Sequence, residues 1–303
     1  MVQAHRIKTI AIVGCTAVGK SETALKLAKD FDGVLVGADS MQIYRGFDIG
    51  TGKLTRAECG DIDHRMIDIV DGDADFSVGE YVRLAEREIA DIASNNKLPI
   101  VVGGTGMYVY SLFSGCNFAD APKNTDLRNS LKTSSHFLGG KIMHSLLTAV
   151  DDKSACKISA NDCKRVIRAM EIFALTGEPK SSAVTHEKHY DDLTVVLTLP
   201  RDVLYDKINK RVQKMFDMGL IEEALGLQRY ARCGSMQALG YKQILAEPSM
   251  PRDELIALVS QKTRNYAKRQ MTYFNNMKLD KVFIDARDYG AIYDCVKRFT
   301  ENI

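Results

Sequence analysis

Residues 14–21 read Gly14-Cys15-Thr16-Ala17-Val18-Gly19-Lys20-Ser21, a complete G-x-x-x-x-G-K-S phosphate loop. An apolar run, residues 7–13, leads into it, and a helical stretch, residues 21–31, leads out. The motif needs that order of strand, loop and helix. Its glycines let backbone N–H groups point at phosphate oxygens, the helix start adds a positive dipole end, Lys20 supplies a cation and Ser21 a hydroxyl for magnesium. A chain built around it is expected to be α/β with a polyphosphate ligand, and by motif alone the loop is of the nucleotide- or ATP-binding type.

The rest of the chain alternates as βαβ units do. Residues 33–38 are a short β-rich run, 77–95 have helical spacing and 99–102 form a brief apolar strand. In a parallel sheet of this kind ligands lie beyond the carboxyl ends of the strands, where Gly14, Asp39 and Gly103 all fall. The pattern then breaks: 116–133 is polar and turn-rich, 161–176 reads as one amphipathic helix closed by Gly177 and Pro179, and 193–199 returns as an apolar strand. After Pro200 the chain reads as helical through Asn276, interrupted at 234–240 and 248–251, and 281–285 suits a last strand. The expected architecture is a P-loop NTPase-like three-layer parallel sheet with an inserted, mostly helical domain and a helical C-terminal region. The catalytic core takes 1–120, the insert 121–189, and the remainder of the core with further helices 190–303.

Asp39 ends the second strand and is expected to project into the crevice above the phosphate loop. There it serves as a magnesium ligand, as a base beside the reacting atom, or as a turn Asp before Ser40. The strand ending at Val102 delivers Gly103-Gly104-Thr105 where hydrolytic P-loop enzymes place a magnesium-binding acid, which weakens an ATPase reading. Those residues suit either a second phosphate clamp or a tight βα turn. Gly50-Thr51-Gly52-Lys53 lacks the first glycine of a phosphate loop and reads as a turn.

Seven scattered cysteines form no C-x-x-C pair, so neither a disulfide framework nor a structural zinc is indicated, and a reducing cytosol is the simplest compartment. No apolar run approaches about 18 residues and the start of the chain carries no cleavage-site pattern, so membrane spanning and secretion are disfavoured. A net charge of +2 says nothing about nucleic acid. Its distribution says more: Lys262, Arg264, Lys268, Arg269 and Lys278 lie between Leu255 and Leu279 without a single acid, interleaved with Tyr266, Tyr273 and Phe274. Such a face suits a phosphate backbone with bases stacked on the rings, although a solvated basic helix with core aromatics gives the same pattern.

Taken together, and in order along nearly the whole chain, these strings resemble the tRNA dimethylallyltransferase (tRNA isopentenyltransferase) family. The resemblance is carried by residues 14–21, Asp39-Ser40-Met41-Gln42-Ile43-Tyr44-Arg45, Asp48-Ile49-Gly50-Thr51-Gly52-Lys53, Gly103-Gly104-Thr105-Gly106-Met107-Tyr108, residues 161–171, Gln237-Ala238-Leu239-Gly240-Tyr241-Lys242 and residues 263–270. It implies transfer of a dimethylallyl group from dimethylallyl diphosphate to the exocyclic amine of the adenosine 3′ of a tRNA anticodon. Asp39 would then act as base or acceptor for that amine, with Thr105 and Arg128 near the reacting groups. Gly14, Thr16, Ala17, Val18, Gly19, Lys20 and Ser21 would surround the diphosphate, with Ser21 on Mg2+. By the same resemblance the contacts to the tRNA anticodon stem-loop are Asp39, Ser40, Met41 and Gln42; Lys164-Arg165-Val166-Ile167-Arg168; Gln237 to Lys242; and Lys268-Arg269-Gln270-Met271-Thr272-Tyr273-Phe274-Asn275. A cytoplasmic monomer is implied. Cys15 replaces the family's usual proline, Ser21 a common threonine, and Arg65 the second of two histidines.

Two other readings share the phosphate loop. A small-molecule or nucleoside kinase would use it with Asp39, but lacks the acid expected after Val102. An RNA-binding NTPase switch of the GTPase type would carry N-K-x-D, and Asn276-Met277-Lys278-Leu279-Asp280 has the wrong spacing.

Overall fold

The computed structural model describes residues 6–117, 124–183, 185–186 and 189–301. The chain divides into two compact units, Met1–Ser114 with His189–Ile303, and Gly115–Lys188. The expected insert boundaries at 121 and 189 lie close to these divisions, and residues 118–123, 184 and 187–188 fall outside the described residues, as do 1–5 at the start of the chain.

Eight strands are present among the described residues: β1 (Ile7–Gly14), β2 (Gly33–Gly37), β3 (His64–Arg65), β4 (Leu98–Gly103), β5 (Cys116–Asn117), β6 (Thr185–His186), β7 (Tyr190–Thr198) and β8 (Lys281–Asp285). In the first unit six of them form one sheet in the order β3-β2-β4-β1-β7-β8, every pair parallel. On one face Ile10, Ile12, Leu35, Ile100, Val195 and Leu197 join a single large core; the alternating Ala11, Val13, Val34, Val36, Val101 and Val196 are equally buried. Helices therefore cover both faces, which is why these strands read as continuous apolar runs instead of alternating ones. The register pairs Val13 with Gly103, Gly37 with Val102 and Gly14 with Leu197, so β1, β2, β4 and β7 end level and their following loops share one edge.

Local signals set the helices. Ser77 and Glu80 form a reciprocal capping box that starts the Val78–Ser94 helix. The long Arg252–Asn276 helix turns Leu255, Val259, Thr263, Ala267, Gln270 and Phe274 inward at three- and four-residue spacing. No helix among the described residues is long and apolar enough to cross a membrane.

The second unit holds the Thr125–Leu138, Gly140–Val150 and Cys163–Thr176 helices and the antiparallel β5–β6 pair. Its core is Met143, Leu147, Ala155, Ile158, Val166 and Ala169. The expected 161–176 helix is found as Cys163–Thr176, capped by Asp162 and closed by Gly177. The expected turn-rich 116–133 segment is corrected, because the Thr125–Leu138 helix begins within it, capped by the Asn124 side chain, and buries no residue. The packed face of this helix is only half-buried and mixes Leu127 and Leu131 with Arg128, Ser134 and Ser135, so the apolar period is weak.

Candidate active site

The phosphate loop leaves β1 through Gly14, where a Cβ would press on the Leu197 carbonyl, and passes through Ala17 at φ 64 and Gly19 at φ 111 before the Lys20–Asp30 helix begins. A non-glycine residue in the left-handed region is held there by its surroundings, as functional loops often require. Lys20 Nζ donates to the Cys15 carbonyl at 2.8 Å. Burial lowers the Lys20 ammonium from its ordinary range to about 8, with the charge of Asp39 opposing the shift and that of Arg211 adding to it.

Asp39 follows β2 directly. Its Oδ1 accepts the Met41 N–H at 2.9 Å, so the turn reading holds for one oxygen. The Asp39 charge acts on four other groups: it favours the cations of Lys20 and Arg211 and helps burial to raise the phenols of Tyr266 and Tyr108. Asp39 thus stands within electrostatic reach of two cations and two phenols, of which Tyr108 is buried and stacked on the Tyr81 ring at 4.0 Å.

Thr105 serves this turn. Its hydroxyl accepts the Ser40 N–H at 2.9 Å and lies 3.2 Å from Ser40 Oγ, while its backbone N–H donates to the Ala38 carbonyl at 3.0 Å. Gly103-Gly104-Thr105 forms a tight βα turn, with the Thr105 hydroxyl bonded to Ser40. Gln270 joins the two glycine loops from the far helix: its Oε1 accepts the Thr16 N–H at 2.9 Å and its Nε2 donates to the Gly104 carbonyl at 2.9 Å.

Sequence reasoning missed Arg211, on the Arg201–Asp217 helix after β7. Its Nη2 donates to the Thr51 carbonyl at 3.3 Å, and burial holds its pKa below the ordinary arginine range against the opposing pull of Asp39. Lys207, Lys210 and Lys214 sit on the same helix, so sequence alone gives no reason to single out Arg211. The structure does: Arg211 is half-buried and bonded to Thr51, whereas the three lysines are exposed.

The expected RNA contacts separate by exposure. Lys164, Arg165, Gln237, Lys242, Lys268, Arg269, Thr272, Tyr273 and Asn275 are exposed; Ser40, Met41, Gln42, Arg168, Leu239 and Met271 are half-buried. Val166, Ile167, Ala238, Gly240, Tyr241, Gln270 and Phe274 are buried, because each falls on the inward side of its helix or bend, and their side chains offer RNA no surface. Tyr110, Arg269, Thr272, Tyr273, Asn276 and Lys278 line a cavity of about 410 Å³ without a carboxylate among them. Arg264 is committed elsewhere, donating to Asn209 Oδ1 and lying over the Tyr205 ring. In the second unit Arg128 donates through Nε at 3.1 Å and Nη2 at 2.7 Å to the fully buried Glu171, which also accepts from Arg168 and from Asn124 N.

Fold and loop together define a phosphate-loop enzyme with a carboxylate, Asp39, within electrostatic reach of Lys20 and Arg211, and with glycines where a hydrolase would place its metal-binding acid. A family model described as IPP transferase matches residues 42–277, and one described as isopentenyl transferase matches 7–71. The chain belongs to the IPP transferase family. It is 40% identical over 300 residues to a tRNA dimethylallyltransferase of an Exiguobacterium species, covering 96% of each chain. It is 41% identical to one of Halalkalibacterium halodurans, covering 93% of this chain and 92% of the relative. Among solved structures, the tRNA isopentenylpyrophosphate transferase of Bacillus halodurans aligns with a TM-score of 0.70 at 37% identity, over 98% of this chain and 99% of the other. A eukaryotic dimethylallyltransferase, described as acting on tRNA, aligns with a TM-score of 0.84 at 27% identity, over 97% of this chain and 80% of the other.

Proposed function

We propose that the protein transfers a dimethylallyl group from dimethylallyl diphosphate to the exocyclic amine of the adenosine 3′-adjacent to the anticodon of tRNA, releasing diphosphate. The observation that carries this reading is Asp39, a crevice carboxylate within electrostatic reach of Lys20 and Arg211 at the mouth of a phosphate loop. In the step, the allylic C–O bond breaks and a C–N bond forms. The amine proton passes to Asp39, and the electron pair leaves on the diphosphate. An aryl amine is a poor nucleophile and diphosphate a highly charged leaving group, so a base on one side and cations with oriented N–H groups on the other lower both halves of the barrier. The loop groups from Gly14 to Ser21, with Lys20 and Arg211, are the proposed diphosphate contacts. Thr105 positions the Asp39 turn through Ser40.

The donor set fits magnesium held chiefly by diphosphate oxygens: Ser21 offers a hydroxyl in the first helical turn, and no group of three or more acidic, His or Cys side chains gathers among the described residues. When bound, such an ion would neutralise charge on the leaving group.

The adenine must leave the loop stack to reach Asp39, as other base-modifying enzymes require. The carboxylate-free cavity by Arg269 and Tyr273 supports RNA on that side. A kinase reading gains nothing from glycines at Gly103-Gly104.

The deciding experiment incubates the protein with Mg2+, dimethylallyl diphosphate and unmodified tRNA, then analyses anticodon-loop nucleosides by mass. One dimethylallyl group gained on that adenosine is the expected result. Labelled phosphate passing from ATP to an acceptor, with the tRNA unchanged, would overturn it.

A further inference from the structure

Glu223 lies on the short Leu220–Gly226 helix, and its carboxylate gathers three successive backbone N–H groups and one hydroxyl. Oε1 accepts the Ile49 N–H at 3.0 Å, the Gly50 N–H at 3.2 Å and the Tyr241 hydroxyl at 2.5 Å. Oε2 accepts the Ile49 N–H at 2.9 Å and the Asp48 N–H at 3.3 Å. Three successive backbone N–H groups converging on one anion form a nest. Tyr241 is fully buried and closes it: its oxygen also accepts the Gly50 N–H at 3.0 Å, and burial followed by the Glu223 contact drives its phenol far above the ordinary range. A Cβ on Gly50 would overlap the Tyr241 ring.

What the nest holds is the stretch 48–53, and that stretch presents two carbonyls. Gln42 Nε2 donates to Thr51 O at 3.1 Å and to Gly52 O at 3.3 Å, and Arg211 Nη2 donates to Thr51 O at 3.3 Å. A Cβ on Gly52 would overlap the Arg211 guanidinium, so the loop and the arginine are fitted to one another. On its other side the stretch is fixed by Lys53, whose buried ammonium donates to the Tyr44 carbonyl and pairs with Asp48 at 2.8 Å and Asp68 at 2.5 Å.

We propose that Glu223 is a positioning residue for the crevice: through the 48–50 nest it sets the Thr51 carbonyl that aims Arg211 beside Asp39 and the phosphate loop. The inference rests on the proposed function, in which Arg211 meets the diphosphate. It assigns one task to two strings, Asp48 to Lys53 and Gln237 to Lys242, and gives Tyr241 a role as the clasp.

The test is a double-mutant cycle read by binding of inorganic diphosphate with Mg2+, in the full chain, beside thermal melts. Glu223→Gln places an amide NH2 against backbone donors and is expected to weaken binding roughly tenfold, the scale of one misplaced charge-assisted contact. Arg211→Ala weakens it further. The double variant binds like Arg211→Ala alone, because Glu223 acts through that side chain, and the exposed neighbour substitution Glu222→Gln changes nothing. If Glu223→Gln fails to fold, Tyr241→Phe removes one bond of the clasp while keeping the ring and is expected to shift affinity in the same direction, again only while Arg211 is present. Additive losses in the double variant, or wild-type affinity in Glu223→Gln, overturn the proposal while leaving the reaction intact. A wild-type protein that binds no diphosphate overturns both.

Discussion

Lys20 gives the crevice its pH signature. Its folded value of about 8 lies below the ordinary lysine value, so between about pH 8 and 10.5 the folded chain holds fewer protons than the unfolded one. The buried ammonium therefore costs stability below pH 8, and the cost is relieved as pH rises toward 10.5. Diphosphate affinity runs the other way, since the anion needs the ammonium. Above pH 8, binding of inorganic diphosphate is expected to fall by about tenfold per pH unit. In Lys20→Arg, whose guanidinium stays charged, only the ligand's own titration should remain. Calorimetric titrations of both proteins from pH 7 to 9.5 check this, and parallel profiles would remove Lys20 from the phosphate contacts. Asp39 separates chemistry from binding. Asp39→Asn keeps the Met41 N–H bond through the amide oxygen but cannot take a proton, so kcat should fall by about 10²- to 10⁴-fold while diphosphate affinity stays within a few-fold. Equal loss of both would make Asp39 a ligand for the diphosphate and its metal.

The carboxyl ends of β2 and β4 are drawn together by two bonds, Ala38 N to Val102 O at 2.8 Å and Thr105 N to Ala38 O at 3.0 Å. Gly103 permits it, because a Cβ there would overlap the Ala38 backbone, which cannot yield without moving Asp39. Gly103→Ala is expected to cost about 1–3 kcal/mol by urea denaturation and to reduce kcat more than diphosphate affinity. Unchanged stability would show that the two strand ends can part. Strand positions were legible in the sequence because β1, β2, β4 and β7 are apolar on both faces, and the phosphate loop because its spacing is a backbone requirement. Arg211 and the loop-joining role of Gln270 were not, because their partners Thr51 and Thr16 lie 160 and 254 positions away and no local period encodes such a pairing. The two-residue β3 escaped for a related reason: it is fixed by Arg65 reaching Asp63, Glu88 and Asp91, so the arginine at the departure from His-His ties the sheet edge to the Val78–Ser94 helix.

A molecule with 41 basic and 39 acidic residues has little net field with which to attract RNA, so recognition must come from where its cations stand. On the Arg252–Asn276 helix the inward stripe consumes Gln270 and Phe274, and Arg264 is occupied with Asn209 and Tyr205. Lys268 and Arg269 remain exposed on the turn that Gln270 fastens to the phosphate and Gly104 loops, with Arg269 over the Tyr266 ring. Lys262 is also exposed, but it stands about 12 Å farther along the helix from Gln270 at 1.5 Å per residue. Local contacts of this kind predict a shallow salt dependence dominated by a few phosphates. Reversing Lys268 and Arg269 together to Glu should weaken anticodon stem-loop binding at least tenfold at low salt and lower the slope of log K against log salt by about 1–2, as expected for the loss of two phosphate contacts. Lys262→Glu should move both quantities much less. Binding isotherms at four salt concentrations distinguish the cases, and equal effects from Lys262 and from the 268–269 pair would mean that general charge, not this turn of the helix, holds the RNA.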